Sequence, residues 1–145
     1  MRSKLIHEIE GQRTLAVIFD SGDDFTEGIR EVATAQKLGA SQLSAIGAFE
    51  SVVLGYFEWD RKAYRRVPLN EQVEVPSLSG NIVLEDGEPK IHAHVVVGKR
   101  DGSAHGGHLL EARIRPTLEA IIVESPEHLR RRHDEASGLA LIHID

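Results

Sequence analysis

A β-strand with one apolar face is predicted by the stretch Ile91-His92-Ala93-His94-Val95-Val96-Val97. Its apolar residues at positions 91, 93, 95 and 97 repeat with the period of two that a strand requires, so His92 and His94 share the opposite face. Side chains two residues apart on one face are separated by about 7 Å. The stretch therefore predicts a strand that presents two imidazoles side by side.

A second strand is predicted after a glycine-rich connection, and it begins Gly106-Gly107-His108-Leu109-Leu110. A three-residue hairpin loop, Arg100-Asp101-Gly102, would place glycine at the left-handed position that such loops require. In the register that this loop sets, His94 faces His108, whereas His105 falls on the other face of the sheet. Because directly opposed residues have Cβ atoms roughly 5 Å apart, His108 can join the two-histidine face.

Two alternatives to this register, and one alternative to a metal site, remain open at the level of sequence. A two-residue loop, Asp101-Gly102, would shift the pairing by one place and turn His108 away. A bulge at Gly106-Gly107 would change the count again, although two consecutive glycines inside a strand also indicate a close backbone approach. The histidines could also be ordinary side chains of a half-exposed strand.

A zinc site with His92, His94 and His108 as ligands is the prediction that follows from the hairpin. Zinc binds imidazole nitrogens at about 2.0–2.1 Å and, with three protein ligands, keeps a fourth position open. Imidazole also suits iron, nickel, copper and cobalt, so the sequence does not name the metal. Such an ion can activate water or polarise a carbonyl group, which leaves hydrolysis, lyase chemistry and decarboxylation open.

No acid or base can be assigned to this site from the sequence. Glu111 is predicted to face away from the histidines, and neither Asp101 nor Glu124 can be placed beside them. The catalytic residues are therefore unknown. A purely structural metal is disfavoured, because structural zinc sites usually have four protein ligands.

A family resemblance rests on three segments: Leu78-Ser79-Gly80-Asn81-Ile82, Ile91-His92-Ala93-His94 and Gly106-Gly107-His108-Leu109. Together they resemble the plants-and-prokaryotes-conserved (PPC) domain, which also occurs after AT-hooks in plant nuclear proteins. The resemblance covers nearly the whole chain and implies the same three histidines as ligands, with nothing firm for His105. The histidine strand and its Gly-Gly-His partner are also similar to the metal site of acetolactate decarboxylases.

Two expectations about function remain, the first implied by the resemblance and the second by the residues of the site. The first is a stand-alone PPC-domain protein with a DNA-associated or regulatory role, and similar bacterial proteins imply a homotrimer. The second is a metal-dependent enzyme, of lyase or decarboxylase type, or a small-molecule binder that uses the same site. An AT-hook is not expected, because no Arg-Gly-Arg segment occurs in the sequence.

Composition indicates a single domain over residues 1–145 with a sizeable core. The chain is 41% hydrophobic and 28% charged, has no cysteine, and contains no apolar run near the length of a membrane span or a secretory signal. A cytoplasmic location is the default expectation. The net charge of −6, from 17 basic and 23 acidic residues, gives little support to binding of duplex DNA.

Two basic segments are the candidates for a local nucleic-acid contact. The first, Trp59-Asp60-Arg61-Lys62-Ala63-Tyr64-Arg65-Arg66, mixes four cations with two aromatic rings, yet a solvated hairpin tip is the favoured interpretation. The second, Arg130-Arg131-Arg132-His133, has acidic neighbours within about 8–10 Å, which is one Debye length. It is interpreted as a solvated connection.

The remaining pattern predicts one substantial helix and many strands. Asp24 has the position of an N-cap with Glu27 three residues later, and Leu38-Gly39 is expected to end the helix. Strands are predicted at 14–19, 43–49, 51–59, 63–67, 72–84, 118–123 and 139–144. The predicted fold is α+β, a strongly bent antiparallel β-sheet packed against one main helix.

Glycine and proline positions give the finer expectations. Bends or bulges are expected at Gly47 and Gly55, an edge or a bulge at Pro76, and the end of a strand at Pro116. If the turn after residue 85 pairs Leu84 with Lys90, Gly80 faces His94 and Ile82 faces His92, which would leave space beside the metal.

Overall fold

The computed structural model describes residues 1–144 and contains one sheet and one α-helix within them. The strands are β1 (Arg2–Ile9), β2 (Gln12–Asp20), β3 (Ala40–Glu58), β4 (Ala63–Leu69), β5 (Val73–Glu85), β6 (Glu88–Gly98), β7 (Ala104–Glu124), β8 (Arg130–Asp134) and β9 (Leu139–His143). The helix α1 spans Phe25–Gln36, and a 3-10 turn spans Trp59–Arg61. No helix in the described part of the chain is long and apolar enough to cross a membrane.

Strand order explains how distant segments meet. The main path of the sheet is β1-β2-β7-β3-β5-β8-β9, with β4 on β3. Strand β6 pairs with both β5 and β7, so that β7, β3, β5 and β6 form a closed circuit of hydrogen-bonded neighbours. The predicted α+β class is confirmed, while the degree of bending remains a prediction.

One pairing departs from the predicted antiparallel sheet. Strands β5 and β8 are parallel where Leu84 meets Arg130. The segment after β7 is held beside β5 by two backbone hydrogen bonds, from Leu84 N to Leu129 O at 3.2 Å and from Leu129 N to Gly39 O at 3.1 Å. The sheet is therefore mixed, because this return of the chain runs in the same direction as β5.

The helix begins where the capping pattern predicts. The carboxylate of Asp24 accepts a hydrogen bond from Glu27 N at 3.0 Å, which satisfies one of the free amides of the first turn. The helix ends two residues earlier than the sequence suggests, because Lys37 takes the left-handed conformation with φ 52° and Leu38 turns into the core. The apolar face of α1 packs against β6 and β7.

Two predicted strand breaks are bridged by longer strands. Strand β3 is continuous across the predicted strands 43–49 and 51–59, and the bulge expected at Gly47 is confirmed by register shifts there and a φ of 149°. Strand β7 runs through Pro116, because the pairing with β3 skips from Ile114 to Leu118 and leaves the proline without a ladder partner. Pro76 also lies at a shift of register, as expected.

The turn before the histidine strand is one residue shorter than the assumed one. Asp86 and Gly87 both have positive φ, 51° and 86°, as in a two-residue type I′ hairpin, and Leu84 pairs with Pro89. The assumed pairing of Leu84 with Lys90 is therefore wrong. Asn81 faces His92, and Ser79 faces His94.

Gly80 lies opposite Ala93 and permits a close approach of the two strands. A Cβ atom at this position would lie 2.4 Å from His92 O and 2.9 Å from Ala93 Cα. Gly80→Ala is expected to lower the free energy of unfolding by about 1–3 kcal/mol, because both neighbours are backbone atoms. Urea unfolding measures the change.

Gly98→Ala is the matched control, because a Cβ there would meet no atom closer than 3.9 Å. It should change the free energy of unfolding by less than about 0.5 kcal/mol. Equal stability of the two variants would contradict the close approach.

The core lies between α1 and one face of the sheet. Ala93, Val95 and Val97 point into it with the aromatic rings of Phe19 and Phe49. The histidines of β6 alternate with these residues and so point away from the helix.

Candidate metal centre

The hairpin formed by β6 and β7 has the predicted register. Lys99 N donates to Ser103 O at 2.8 Å, and Gly102 has a φ of 83°. His94 is paired with His108, and Val97 is paired with His105. The three-residue loop is thus confirmed, and no bulge interrupts residues 104–108.

Three imidazoles converge on the sheet face that lies opposite the core. His92, His94 and His108 each offer a ring nitrogen, and these atoms all lie within 4.8 Å of one another. The Nε2 atoms of His92 and His94 are 3.2 Å apart. Two nitrogens bound tetrahedrally to one zinc ion would be separated by about 3.3 Å. The donor set and its spacing therefore fit a zinc ion.

The protonation states of two of these histidines also suit a metal. Burial lowers the pKa of His108 to about 4, with smaller contributions from His92 and His94. Burial also lowers the pKa of His92, and the positive charge of Arg131 adds to this effect. Both imidazoles are neutral at neutral pH, which is the form that binds metals. Nδ1 of His108 is buried and has no hydrogen-bond partner among the described residues.

Glycine at position 107 brings β7 close to β3 beside the site. A Cβ atom on Gly107 would lie 2.8 Å from Gly55 O, whereas Gly106 has more room, with its nearest neighbour at 3.4 Å. The predicted close approach is thus borne out at Gly107. It places His108 directly opposite Gly55.

Tyr64 packs onto the site, whereas the sequence pattern places it in the basic segment 59–66, either as a nucleic-acid contact or at a solvated hairpin tip. Its ring stacks on His108 with a centroid distance of 4.6 Å and meets Phe57 edge-on at 5.3 Å. Burial raises the pKa of Tyr64, so its hydroxyl stays protonated at neutral pH. The Tyr64 ring is therefore occupied by its contact with His108, whereas the other aromatic ring of the segment, Trp59 at the hairpin tip, is 61% exposed.

Arg131 also borders the histidines, although no local sequence pattern indicates it. The segment that was interpreted as a solvated connection is strand β8, and its side chains alternate so that Arg131 is half-buried. The guanidinium donates from Nη1 to Ala140 O at 2.8 Å and from Nη2 to Asn81 Oδ1 at 2.6 Å. Since Asn81 is paired with His92, this contact holds the cation over the histidine strand.

A cavity of about 270 Å³ lies between the histidines and the hairpin of β8 and β9. His92, His108, Arg131 and Tyr64 border it. The remaining wall is formed by a charged pair and by mostly apolar residues: Glu85, Lys90, Ile91, Gly138, Leu139, Ala140 and Leu141. The volume suits a small molecule of a few heavy atoms.

The three carboxylates that the sequence offers as an acid or base do not border this cavity. Glu111 pairs with Arg66, Asp101 accepts hydrogen bonds from Ser103 in the hairpin loop, and Glu124 is buried elsewhere. The carboxylate that does border the cavity is Glu85, which pairs with Lys90 at 3.2 Å. The sequence gives no sign of this position for Glu85, because it depends on how β5 and β6 pair across the turn at Asp86-Gly87.

Comparisons with known proteins identify relatives over most of the chain. The family model for the Plants and Prokaryotes Conserved (PCC) domain matches residues 6–126. The chain is similar to a metal-containing protein of Archaeoglobus fulgidus, with 36% identity, 96% of this chain and 99% of that chain covered, and a TM-score of 0.85. It is also similar to a plant- and prokaryote-conserved (PPC) protein of Pyrococcus horikoshii, with 32% identity, 91% and 92% covered, and a TM-score of 0.86.

A proposed DNA-binding protein of Bacteroides thetaiotaomicron shares the fold, with 24% identity, 94% of each chain covered, and a TM-score of 0.85. No curated protein matches the chain. The family model covers most of the chain, and the chain therefore belongs to the Plants and Prokaryotes Conserved domain family.

Proposed function

We propose that this protein is a stand-alone PPC-domain metalloprotein that holds one zinc ion through His92, His94 and His108. The observation that carries the proposal is the convergence of three imidazoles on one face of the sheet, at a spacing that matches zinc. The metal-containing relative from Archaeoglobus fulgidus supports it. When bound through three protein ligands, zinc supplies a Lewis acid with one open position.

The residues of the chain have separate roles in this proposal. His92 and His108 are half-buried and border the cavity, while His94 is exposed and completes the ligand set. Tyr64 fixes the plane of the His108 ring by stacking. Arg131 makes the wall attractive to anions, whereas the charge of Lys90 is balanced by its ion pair with Glu85.

Titration of metal-free protein with cobalt(II), followed by displacement with zinc, tests the site. We expect the visible absorption of tetrahedral cobalt to saturate at one ion per chain and to disappear when zinc replaces the cobalt. Zinc at 100 times its dissociation constant should raise the free energy of unfolding by about 2.7 kcal/mol. No bound ion after reconstitution with either metal would overturn the proposal.

An enzyme of lyase or decarboxylase type is the alternative use of the same site. The observation that favours it is a partly open cavity beside the three histidines with the carboxylate of Glu85 in its wall, since a metal held there would supply a Lewis acid. Turnover of a small oxo or hydroxy acid by the zinc-loaded protein, lost in His108→Ala, would support this alternative.

A DNA-associated, regulatory role is the other proposal, and it rests on the family relationship and on the exposed cations beside the 3-10 turn. Most of these cations already have partners. Arg61 and Arg66 form ion pairs with Glu58 and Glu111, and Lys62 donates to a backbone carbonyl at 2.7 Å. The structure of this segment thus matches the hairpin tip favoured by the sequence.

Retention on immobilised duplex DNA as a function of salt tests this role. Binding that depends steeply on salt, and that falls when Arg61, Lys62, Arg65 and Arg66 are replaced by glutamine, would support it. Retention that is unchanged in the quadruple variant would exclude this segment as the contact.

We also propose a cytoplasmic homotrimer. Every residue of the edge strand β1 is exposed, and Ile46 and Ile121 expose 59% and 40% of their surface on one face of the sheet. Light scattering should give three times the chain mass of 16.0 kDa. A monomer at micromolar concentration would contradict the assembly.

A further inference from the structure

The guanidinium of Arg131 is a half-buried cation that forms no ion pair with any of residues 1–144. Both of its hydrogen bonds, to Asn81 Oδ1 and to Ala140 O, end on neutral oxygens. Its Nε atom is buried and has no hydrogen-bond partner among the described residues. Burial lowers the pKa of Arg131, and the more distant charge of Glu85 only partly offsets this effect.

Such an arrangement is unfavourable in the absence of an anion. Removing a charged group from water costs free energy that neutral hydrogen-bond acceptors recover only in part. The two neutral oxygens orient the planar guanidinium without neutralising it. An anion that entered the cavity would supply the missing charge, and a guanidinium binds carboxylates especially well through its parallel N–H groups.

The position of Arg131 connects this charge to the histidines. Arg131, His92 and His108 border the same cavity of about 270 Å³. Asn81 on β5 faces His92 of β6 and accepts the hydrogen bond from Arg131 of β8, so the cation and the proposed metal ligand both lie beside the same residue of β5. A molecule in the cavity is therefore within reach of both groups.

The other residues that border the cavity indicate which class of anion would bind there. Ile91, Leu139 and Leu141 supply apolar surface, which favours an organic molecule over an inorganic ion. Glu85 is paired with Lys90 in the same wall, so the charge of Arg131 is the one that a bound anion would neutralise, and a monoanion matches it better than a dianion such as phosphate.

We propose that the cavity binds a small aliphatic carboxylic acid, with Arg131 as the carboxylate-binding residue and the histidine-bound metal as the second anchor. This inference rests on the proposed metal function and names its ligand class. The side chain of Asn81 is a positioning residue, since it acts through Arg131.

Lactate is the probe that tests the inference, and inorganic phosphate is the comparison anion. Cobalt-loaded protein is titrated with each, and binding is followed by the visible spectrum of the metal and by calorimetry. We expect lactate to bind more tightly than phosphate and Arg131→Gln to weaken lactate binding by about 10- to 100-fold, as for the loss of a charged hydrogen-bonding group. The metal content should be unchanged.

Two variants separate charge from structure. Arg130→Gln removes an exposed arginine that does not border the cavity and should leave lactate binding within about twofold. Arg131→Lys should recover part of the lost affinity, because it restores the charge without the planar fork.

The outcomes distinguish this inference from the proposed function. Lack of bound metal, seen by elemental analysis before lactate is added, would defeat the metal proposal. Full metal content without lactate binding, tighter binding of phosphate, or equal lactate binding by Arg131→Gln would each overturn only the carboxylate inference.

Discussion

Replacement of His94 by alanine is expected to leave the protein folded and to lower its affinity for zinc by more than about 100-fold, since loss of even an outer partner of a metal ligand costs 10- to 100-fold. His94 is exposed, so its imidazole contributes little to the core. Its Nε2 lies 3.2 Å from that of His92, and its removal leaves only two ligands. Elemental analysis after dialysis should show the loss directly.

His105→Ala is the control for this experiment. His105 lies in the same hairpin and is also a histidine, but it is paired with Val97 and is absent from the cluster. It should retain one metal per chain. Loss of metal from both variants, or from neither, would contradict the assignment of the ligands.

Glu124→Ala is expected to lower the free energy of unfolding by about 3–5 kcal/mol, because several buried donors would lose their acceptor. The carboxylate of Glu124 is buried and accepts hydrogen bonds from Gly39 N at 2.9 Å, from Ala40 N at 3.2 Å and from the hydroxyl of Ser41. These contacts tie the end of β7 to Gly39 and to the first two residues of β3. Thermal unfolding should show a fall in Tm of roughly 10–16 °C.

Glu119→Ala provides the matched comparison. Glu119 is the same residue type in the same strand, but its side chain is exposed. Its replacement should change the free energy of unfolding by less than about 0.5 kcal/mol. Similar effects of the two substitutions would mean that the hydrogen bonds of Glu124 contribute little to stability.

The histidine cluster could be predicted from sequence because local rules determine it. Alternation places His92 and His94 on one face, and the requirement for a left-handed residue at Gly102 sets the register that brings in His108. These constraints act over fewer than twenty residues. The helix start at Asp24 was accessible for the same reason, since a cap depends on its immediate neighbours.

The surroundings of the cluster could not be predicted, because they depend on contacts between distant segments. Arg131 reaches Asn81 across 50 positions of sequence, and Tyr64 reaches His108 from another hairpin. In the sequence, Arg131 stands between two other arginines, and only the pairing of β8 with β9 shows which of them turns inward.

Two predictions made from glycine and proline positions are wrong, one about the length of a turn and one about the end of a strand. Asp86-Gly87 forms a two-residue turn where a longer one was assumed, so each residue of β5 faces a neighbour one place away from the expected one. Pro116 was expected to end a strand, yet a skipped pairing lets β7 continue past it. The preference of proline for strand ends does not indicate whether a long strand can continue past it through a bulge.

The pairing of β6 along both edges has a consequence for how a metal would bind. From His94 to Gly98, β6 is held by β5 on one side and β7 on the other, and His92 is paired with β5, so the backbone that carries these imidazoles is already ordered before an ion arrives. Metal binding would then require little loss of chain entropy, unlike binding in small zinc domains that fold only around their ion. The amides of residues 94–98 should accordingly exchange with solvent slowly whether or not metal is present.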